Sequence, residues 1–277
     1  LEYDYSDEEL AFLLAHDSDP FNRWEAGQRL ATRRLLTLAG SDIDAGLAYH
    51  PTALDELIAN ALRKLLRDDS LDPAFRDLVL TLPSEGMLAE QVDVIDPQAI
   101  HRARRALRRY LAHALRDDLH AIYQANQVSG AYSPDATASG RRALCGLAMT
   151  MLCLAAVAQG DDVTPGKVYQ QFKDAGNMTD RFNALSALVT SGHALATPAL
   201  ERFHAMFAQE PLVIDKWFAL QAGAPDRQGH VLPLVRKLMH HPDFSLRNPN
   251  RARSLIFSYC VANPGAFHRA DASGYVF

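Results

Sequence analysis

The sequence predicts an all-α protein, folded as an irregular α–α superhelix of about a dozen helices. Apolar residues recur at helical spacing: Leu10, Leu13 and Leu14 share one helix face, and so do Leu54, Ile58, Leu62 and Leu65. Strand-like alternation is nearly absent beyond Leu1–Tyr5. Eight of the 14 prolines directly follow Ser, Thr, Asp or Asn, where chance placement gives about three. A cap side chain followed by proline starts a helix. The cap oxygen accepts an orphan N–H, and proline at the first helical position forfeits no hydrogen bond.

The elements follow in order. Leu1–Tyr5 alternates apolar or aromatic with acidic residues and reads as the end of a preceding β domain, or a linker. Ser6 and Glu9 make a capping box for the first helix. Further helices are expected to begin near Pro20, Pro51, Pro73, Glu85, Pro97, Pro134, Pro165, Asp180, Pro198, Leu212, Arg227 and Pro249. The longest is expected from Pro97 to about Gln127. Gly40, Gly160 and Gly176 are placed to stop helices. Ala143–Ala158, bounded by Arg142 and Gln159, is too short a run to span a bilayer and predicts a buried helix. Short links make antiparallel helix pairs, and a series of pairs makes a solenoid. No strict repeat period occurs. The helical domain is expected to run over 6–277 and, because Gly274–Phe277 closes on apolar residues, to be truncated at its C-terminal end.

Composition excludes several classes. The 277 residues are 48% hydrophobic and 22% charged, with net charge −5. That suits a globular domain and leaves no basic footprint for nucleic acid. The three cysteines form no C-x-x-C and read as reduced, buried thiols of a cytoplasmic protein.

A catalytic motif is missing. No H-E-x-x-H, phosphate loop or G-x-S-x-G occurs. His240 and His241 would lie about 100° apart on a helix and cannot chelate one metal from one face. His113 and His120 share a face but have no third ligand nearby. Arg102, Arg104, Arg105, Arg108 and Arg109 form a basic cluster, read as a solvated face balanced by Asp117 and Asp118. Arg251 and Arg253 open the helix that Asn248-Pro249 starts, where cations oppose the helix dipole and call for an acidic partner.

Several stretches together resemble a known family: Asp19-Pro-Phe-Asn-Arg-Trp-Glu-Ala-Gly-Gln28, Leu82-Pro-Ser-Glu85, Asn177-Met-Thr-Asp180, Asp215-Lys-Trp-Phe-Ala-Leu-Gln-Ala222, Asn248-Pro-Asn-Arg-Ala-Arg-Ser-Leu-Ile256 and Asn263-Pro-Gly-Ala-Phe-His268 with Ser273-Gly-Tyr275. Their order and spacing are similar to the C-terminal helical domain of bacterial aminopeptidase N, a zinc metalloprotease family of the H-E-x-x-H type. The resemblance implies a domain that covers the active site and shapes the substrate cavity of an enzyme removing N-terminal residues from peptides. It implies that Arg253 lines that cavity, with Arg251 beside it and mainly structural. It places the zinc and every catalytic residue in a catalytic domain of the same chain, upstream of this segment. No cofactor or metal is expected here, and no nucleic-acid or membrane partner. The residues alone leave two alternatives: a stand-alone helical-repeat module binding peptide or protein, and an α/α-barrel enzyme needing a carboxylate cluster.

Overall fold

The computed structural model describes residues 3–41 and 49–277. About 70% of it is helix, and no strand forms among the described residues. The first half comprises α1 (Asp7–His16), α2 (Pro20–Ala39), α3 (Ala53–Leu66), α4 (Pro73–Leu80), α5 (Glu85–Ala89), α6 (Pro97–Ala114) and α7 (Arg116–Ala125). The long α8 (Ala136–Ala158) follows. The second half comprises α9 (Val163–Asp174), α10 (Met178–Ser191), α11 (Ala196–Phe207), α12 (Pro211–Ala222) and α13 (Val231–Met239). It ends in α14 (Pro249–Ala252), a π-helical turn (Arg253–Phe257), α15 (Ser258–Cys260), α16 (Pro264–Phe267) and a 3₁₀ turn (Ser273–Val276).

The capping logic holds at most starts. Asp19, Asp72, Asp96 and Asn248 each accept two backbone N–H groups ahead of a proline at the first helical position. The Ser6–Glu9 box is present in both directions, at 3.1 and 2.8 Å. Pro165 and Pro198 instead fall at the third position of α9 and α11. That position also has no intrahelical donor to lose, so the same tolerance for proline places it two residues late. Pro134 precedes the true cap, Asp135, whose carboxylate accepts from Ala138 N–H. Arg227 does not open a helix. Gln228 and Gly229 both take positive φ, and α13 starts only at Val231.

The expected longest helix is broken at Leu115, which is fully buried and has φ −104° and ψ 13°. No proline or glycine causes the break. The Arg63 guanidinium on α3 donates to Ala114 C=O at 2.8 Å and to Asp118 at 3.2 Å, bracketing the kink from outside. A side chain taking a ladder carbonyl is a recognised cause of a bend. The longest helix is α8, with 23 residues and a mean hydropathy of 1.5 over its most apolar 18. By length and composition it is apolar enough to cross a membrane, contrary to the reading from its shorter apolar run. Its burial explains the composition: Leu144, Ala148, Met151, Leu152 and Ala155 face one core, Met149 and Cys153 the other.

Of the expected strand, Leu1 and Glu2 lie outside the described residues. Tyr3–Tyr5 is non-helical, and its carbonyls are held by Arg29 and Arg33 of α2 at 2.7 Å each.

Candidate functional site

The two halves meet around one large cavity of about 640 Å³. One wall is α6. The opposite wall is built from the ends of α10 and α12 and the segment around Asn263. Polar anchors join them across the chain. Gln98 at the start of α6 donates to Gly265 C=O at 2.6 Å and His268 C=O at 3.0 Å. Within the second wall, Asn263 donates to the carbonyls of Ala222 and Ala224 at 2.9 and 2.8 Å. Gly265 sits so close to α6 that a Cβ there would lie 2.6 Å from the His101 ring. Any side chain at that position would push the two walls apart.

Arg104, Arg105, Arg108 and Arg109 all line this cavity, and Arg227 reaches it from the turn before α13. Arg105 and Arg109 remain exposed, so the reading of the basic cluster as a solvated face holds only in part. Asp118, its supposed counter-charge, is spent on Arg63 and Arg67 at 3.2 and 2.6 Å. Arg104 donates to Pro83 C=O at 2.7 Å and Arg227 to Thr190 C=O at 2.5 Å. The carboxylate that lines the cavity is Glu85, bonded to His101 at 2.8 Å and to Gly265 N–H at 3.3 Å. Burial pushes the Arg108 guanidinium down to about 10, with Arg104 adding repulsion. Burial likewise lowers Arg105, which also faces Arg109, and Arg227, which faces both.

Neither arginine singled out in the sequence lines this cavity. Arg251 is an internal strut. It is 6% exposed, pairs with Asp215 at 2.5 Å, donates to the carbonyls of Asp243 and Pro211, and lies 5.0 Å from the Phe218 ring centre. Arg253 is exposed at the start of the π-helical turn, with no side-chain partner among the described residues. The sequence reading missed Arg227, Glu85 and His101. The pattern Arg104-Arg105-x-x-Arg108-Arg109 was legible, because positions three and four apart share a helix face. What that face looks onto was not.

Among the described residues one group of side chains has metal-ligand geometry: His204, His241 and Asp243 offer atoms within 4.8 Å of one another. The site does not fit a catalytic zinc. His204 Nε2 is 2.6 Å from the Asp243 carboxylate, and His241 Nδ1 accepts from Asp243 N–H at 3.2 Å. The nearby cation Arg251 opposes a further positive charge. Burial, His204, Arg251 and Lys237 together lower the His241 pKa against the opposing pull of Asp243. The group braces α11 against the segment after α13, with both imidazoles tilted against Trp217 at 4.9 and 5.3 Å between ring centres. It escaped the sequence reading because His204 lies 37 positions before His241 and 39 before Asp243.

A family model described as "Domain of unknown function (DUF3458_C) ARM repeats" matches residues 7–277. The chain is 39% identical over 277 residues to Aminopeptidase N of Escherichia coli (strain K12), covering 100% of the chain and 31% of that protein. It is 40% identical over 266 residues to Aminopeptidase N of Caulobacter vibrioides, covering 96% of the chain and 29% of that protein. Its fold matches Legionella pneumophila aminopeptidase A, solved in complex with aspartic acid, with a TM-score of 0.82 and 29% identity over 99% of the chain and 32% of that structure. The chain thus spans about a third of the length of these relatives. Matched almost end to end by the one model, it belongs to the DUF3458_C family of ARM-repeat domains.

Proposed function

We propose that the chain serves as the helical C-terminal domain of a bacterial zinc aminopeptidase, enclosing the active site and shaping access for peptides. The observation that carries this reading is coverage: two relatives named Aminopeptidase N match 96–100% of the chain, while the chain accounts for only 29–31% of them. The remaining two thirds would supply the zinc, held by an H-E-x-x-H set this chain lacks, and the metal would activate the attacking water. The partner is then the catalytic domain of the same polypeptide, the substrates are peptides, and the setting is a reducing cytoplasm. In this reading residues before Ser6 lead in from a preceding domain, and the helical domain continues past Phe277.

Arg253 is the residue proposed to meet substrate. Its guanidinium is exposed and unpaired among the described residues, and it can grip a carboxylate with two hydrogen bonds. Arg251 holds its neighbour in place through Asp215. In the full-length enzyme, Arg253→Ala is expected to raise KM for free-acid tripeptides about tenfold, the loss of one charged hydrogen bond. Single-residue chromogenic amides, too short to reach Arg253, should be hydrolysed as before. Equal losses on both substrates would make Arg253 a folding or domain-closure residue. An isolated 277-residue chain with chelator-sensitive aminopeptidase activity would overturn the assignment itself.

A further inference from the structure

We propose that the cavity between α6 and the α10–α12 ends binds a small polyanion carrying two or more phosphate or carboxylate groups. The proposal stands apart from the aminopeptidase reading, since it uses neither Arg253 nor any catalytic residue.

The charge ledger of the cavity carries it. Five arginines line the space and one carboxylate does. Glu85 is already engaged by His101 and the Gly265 N–H. Arg104 and Arg227 are steadied by main-chain carbonyls, which accept hydrogen bonds but leave the positive charge uncancelled. Arg105, Arg108 and Arg109 have no hydrogen-bond acceptor and no ion pair among the described residues. Elsewhere buried or partly buried arginines meet carboxylates at Arg34–Asp55, Arg63–Asp118 and Arg251–Asp215, while Arg141 and Arg181 rest on carbonyls, singly rather than in a cluster. The accumulation is also local, because the whole chain carries net charge −5.

Like charges gathered around a partly desolvated space repel, and the repulsion is a standing cost to the empty protein. A bound anion relieves it. A single carboxylate cancels one charge of five, whereas a ligand with several oxyanions answers most of them. Guanidinium forks match phosphate and carboxylate oxygens alike. The volume of about 640 Å³ is that of a small-molecule site rather than a nucleic-acid groove. Leu154, Val157 and Val261 line it as well, and apolar walls strengthen each ion contact.

The site is built to hold its cations in place. Gly192 takes φ +71°, and a Cβ there would fall 1.3 Å from Arg227 Nη1. The glycine makes room for the guanidinium to lie across the end of α10. Gln228 and Gly229 follow with positive φ, and Arg227 Nη2 reaches Thr190 C=O at 2.5 Å.

The test is isothermal titration calorimetry of the 277-residue chain at low ionic strength with sodium triphosphate, citrate and acetate. Saturable one-to-one binding of triphosphate or citrate is expected, with acetate at least tenfold weaker. Tighter triphosphate binding assigns a phosphorylated ligand, and tighter citrate binding a polycarboxylate. The double variant Arg105→Gln/Arg109→Gln should weaken binding at least tenfold, a modest loss for two charged contacts. Its ligand-free melting temperature should equal or exceed that of the parent, because two like charges are removed and no protein contact is lost. Arg202→Gln, an exposed arginine on α11, should bind within twofold of the parent. Absence of one-to-one binding, or an Arg202→Gln loss equal to that of the double variant, would overturn the proposal. So would a double variant that keeps full affinity.

Discussion

On the amino-terminal side of α8, every fully buried apolar side chain among the described residues is aliphatic; Trp24, Tyr49, Phe75 and Tyr110 only flank that core. On the carboxy-terminal side, Phe172, Phe203, Trp217, Phe218 and Tyr259 fill it. Leucine rows on longer helices interlock as ridges in grooves. The second half has shorter helices meeting at corners, and rings packed edge to face fill those gaps: Trp217 on Phe218 at 5.0 Å and Tyr259 on Phe267 at 5.5 Å. The π-helical turn at Arg253–Phe257 lies on the aromatic side too. The cavity opens along the seam, between α6 of the first half and the helix ends of the second. Two cores of different texture, joined through α8, leave unfilled space where their other faces meet.

Each half also contains a buried Arg–Asp pair, and here the contrast predicts the largest effect. Asp55 is fully buried and accepts two hydrogen bonds from Arg34 at 2.7 Å each, plus Tyr49 O–H at 2.6 Å and Thr52 N–H at 2.7 Å. Asp55→Asn strands the Arg34 charge and is expected to cost about 3–5 kcal/mol in denaturant unfolding. Asp215→Asn should cost less, about 2 kcal/mol, because Arg251 keeps two carbonyls and the Phe218 face. Equal costs would break the comparison. Burial pushes the Asp55 carboxyl up, but the bonds from Arg34, Tyr49 and Thr52 outweigh it and hold it below the ordinary 3.8. A carboxyl lowered on folding stabilises above its unfolded pKa and loses that contribution as pH falls through the folded value. Stability should therefore fall as pH drops below about 3.8 in the parent, a component of acid unfolding that Asp55→Asn lacks.

The two faces of α8 sharpen the contrast at smaller scale. A Cβ on Gly140 would lie 2.9 Å from the Ala74 backbone nitrogen on α4, whereas one on Gly146 would meet the Asn183 side-chain amide on α10 at 2.7 Å. Backbone cannot swing aside, so Gly140→Ala should destabilise by about 1–3 kcal/mol. Asn183 can, and alanine gains helix propensity, so Gly146→Ala should stay within about 1 kcal/mol by thermal unfolding.

The smallest effect concerns the thiols. Burial pushes both Cys145 and Cys153 up to about 12, and raises the half-buried Cys260 as well. Native-state labelling at pH 8 should modify Cys260 first and leave the two on α8 unreacted until the protein unfolds. Faster labelling of Cys153 than of Cys260 would mean that α8 opens without the rest.

The sequence by itself determined the helices and most of their starts, because a cap oxygen and a proline act within three or four residues of each other. Asp19-Pro20, Asp72-Pro73, Asp96-Pro97 and Asn248-Pro249 needed no tertiary help. It also marked Arg251 as a cation in need of an acidic partner, which the helix dipole alone implies. Only the tertiary structure decided that the partner is Asp215, 36 positions away, and that the helix after Pro97 kinks under Arg63. It likewise decided that Arg104, Arg105, Arg108 and Arg109 line one cavity, with Arg105 and Arg109 still exposed at its edge. A helical period says which residues share a face and nothing about what covers it. That depends on contacts such as Gln98 to Gly265, across 167 positions, whose partners no local pattern encodes.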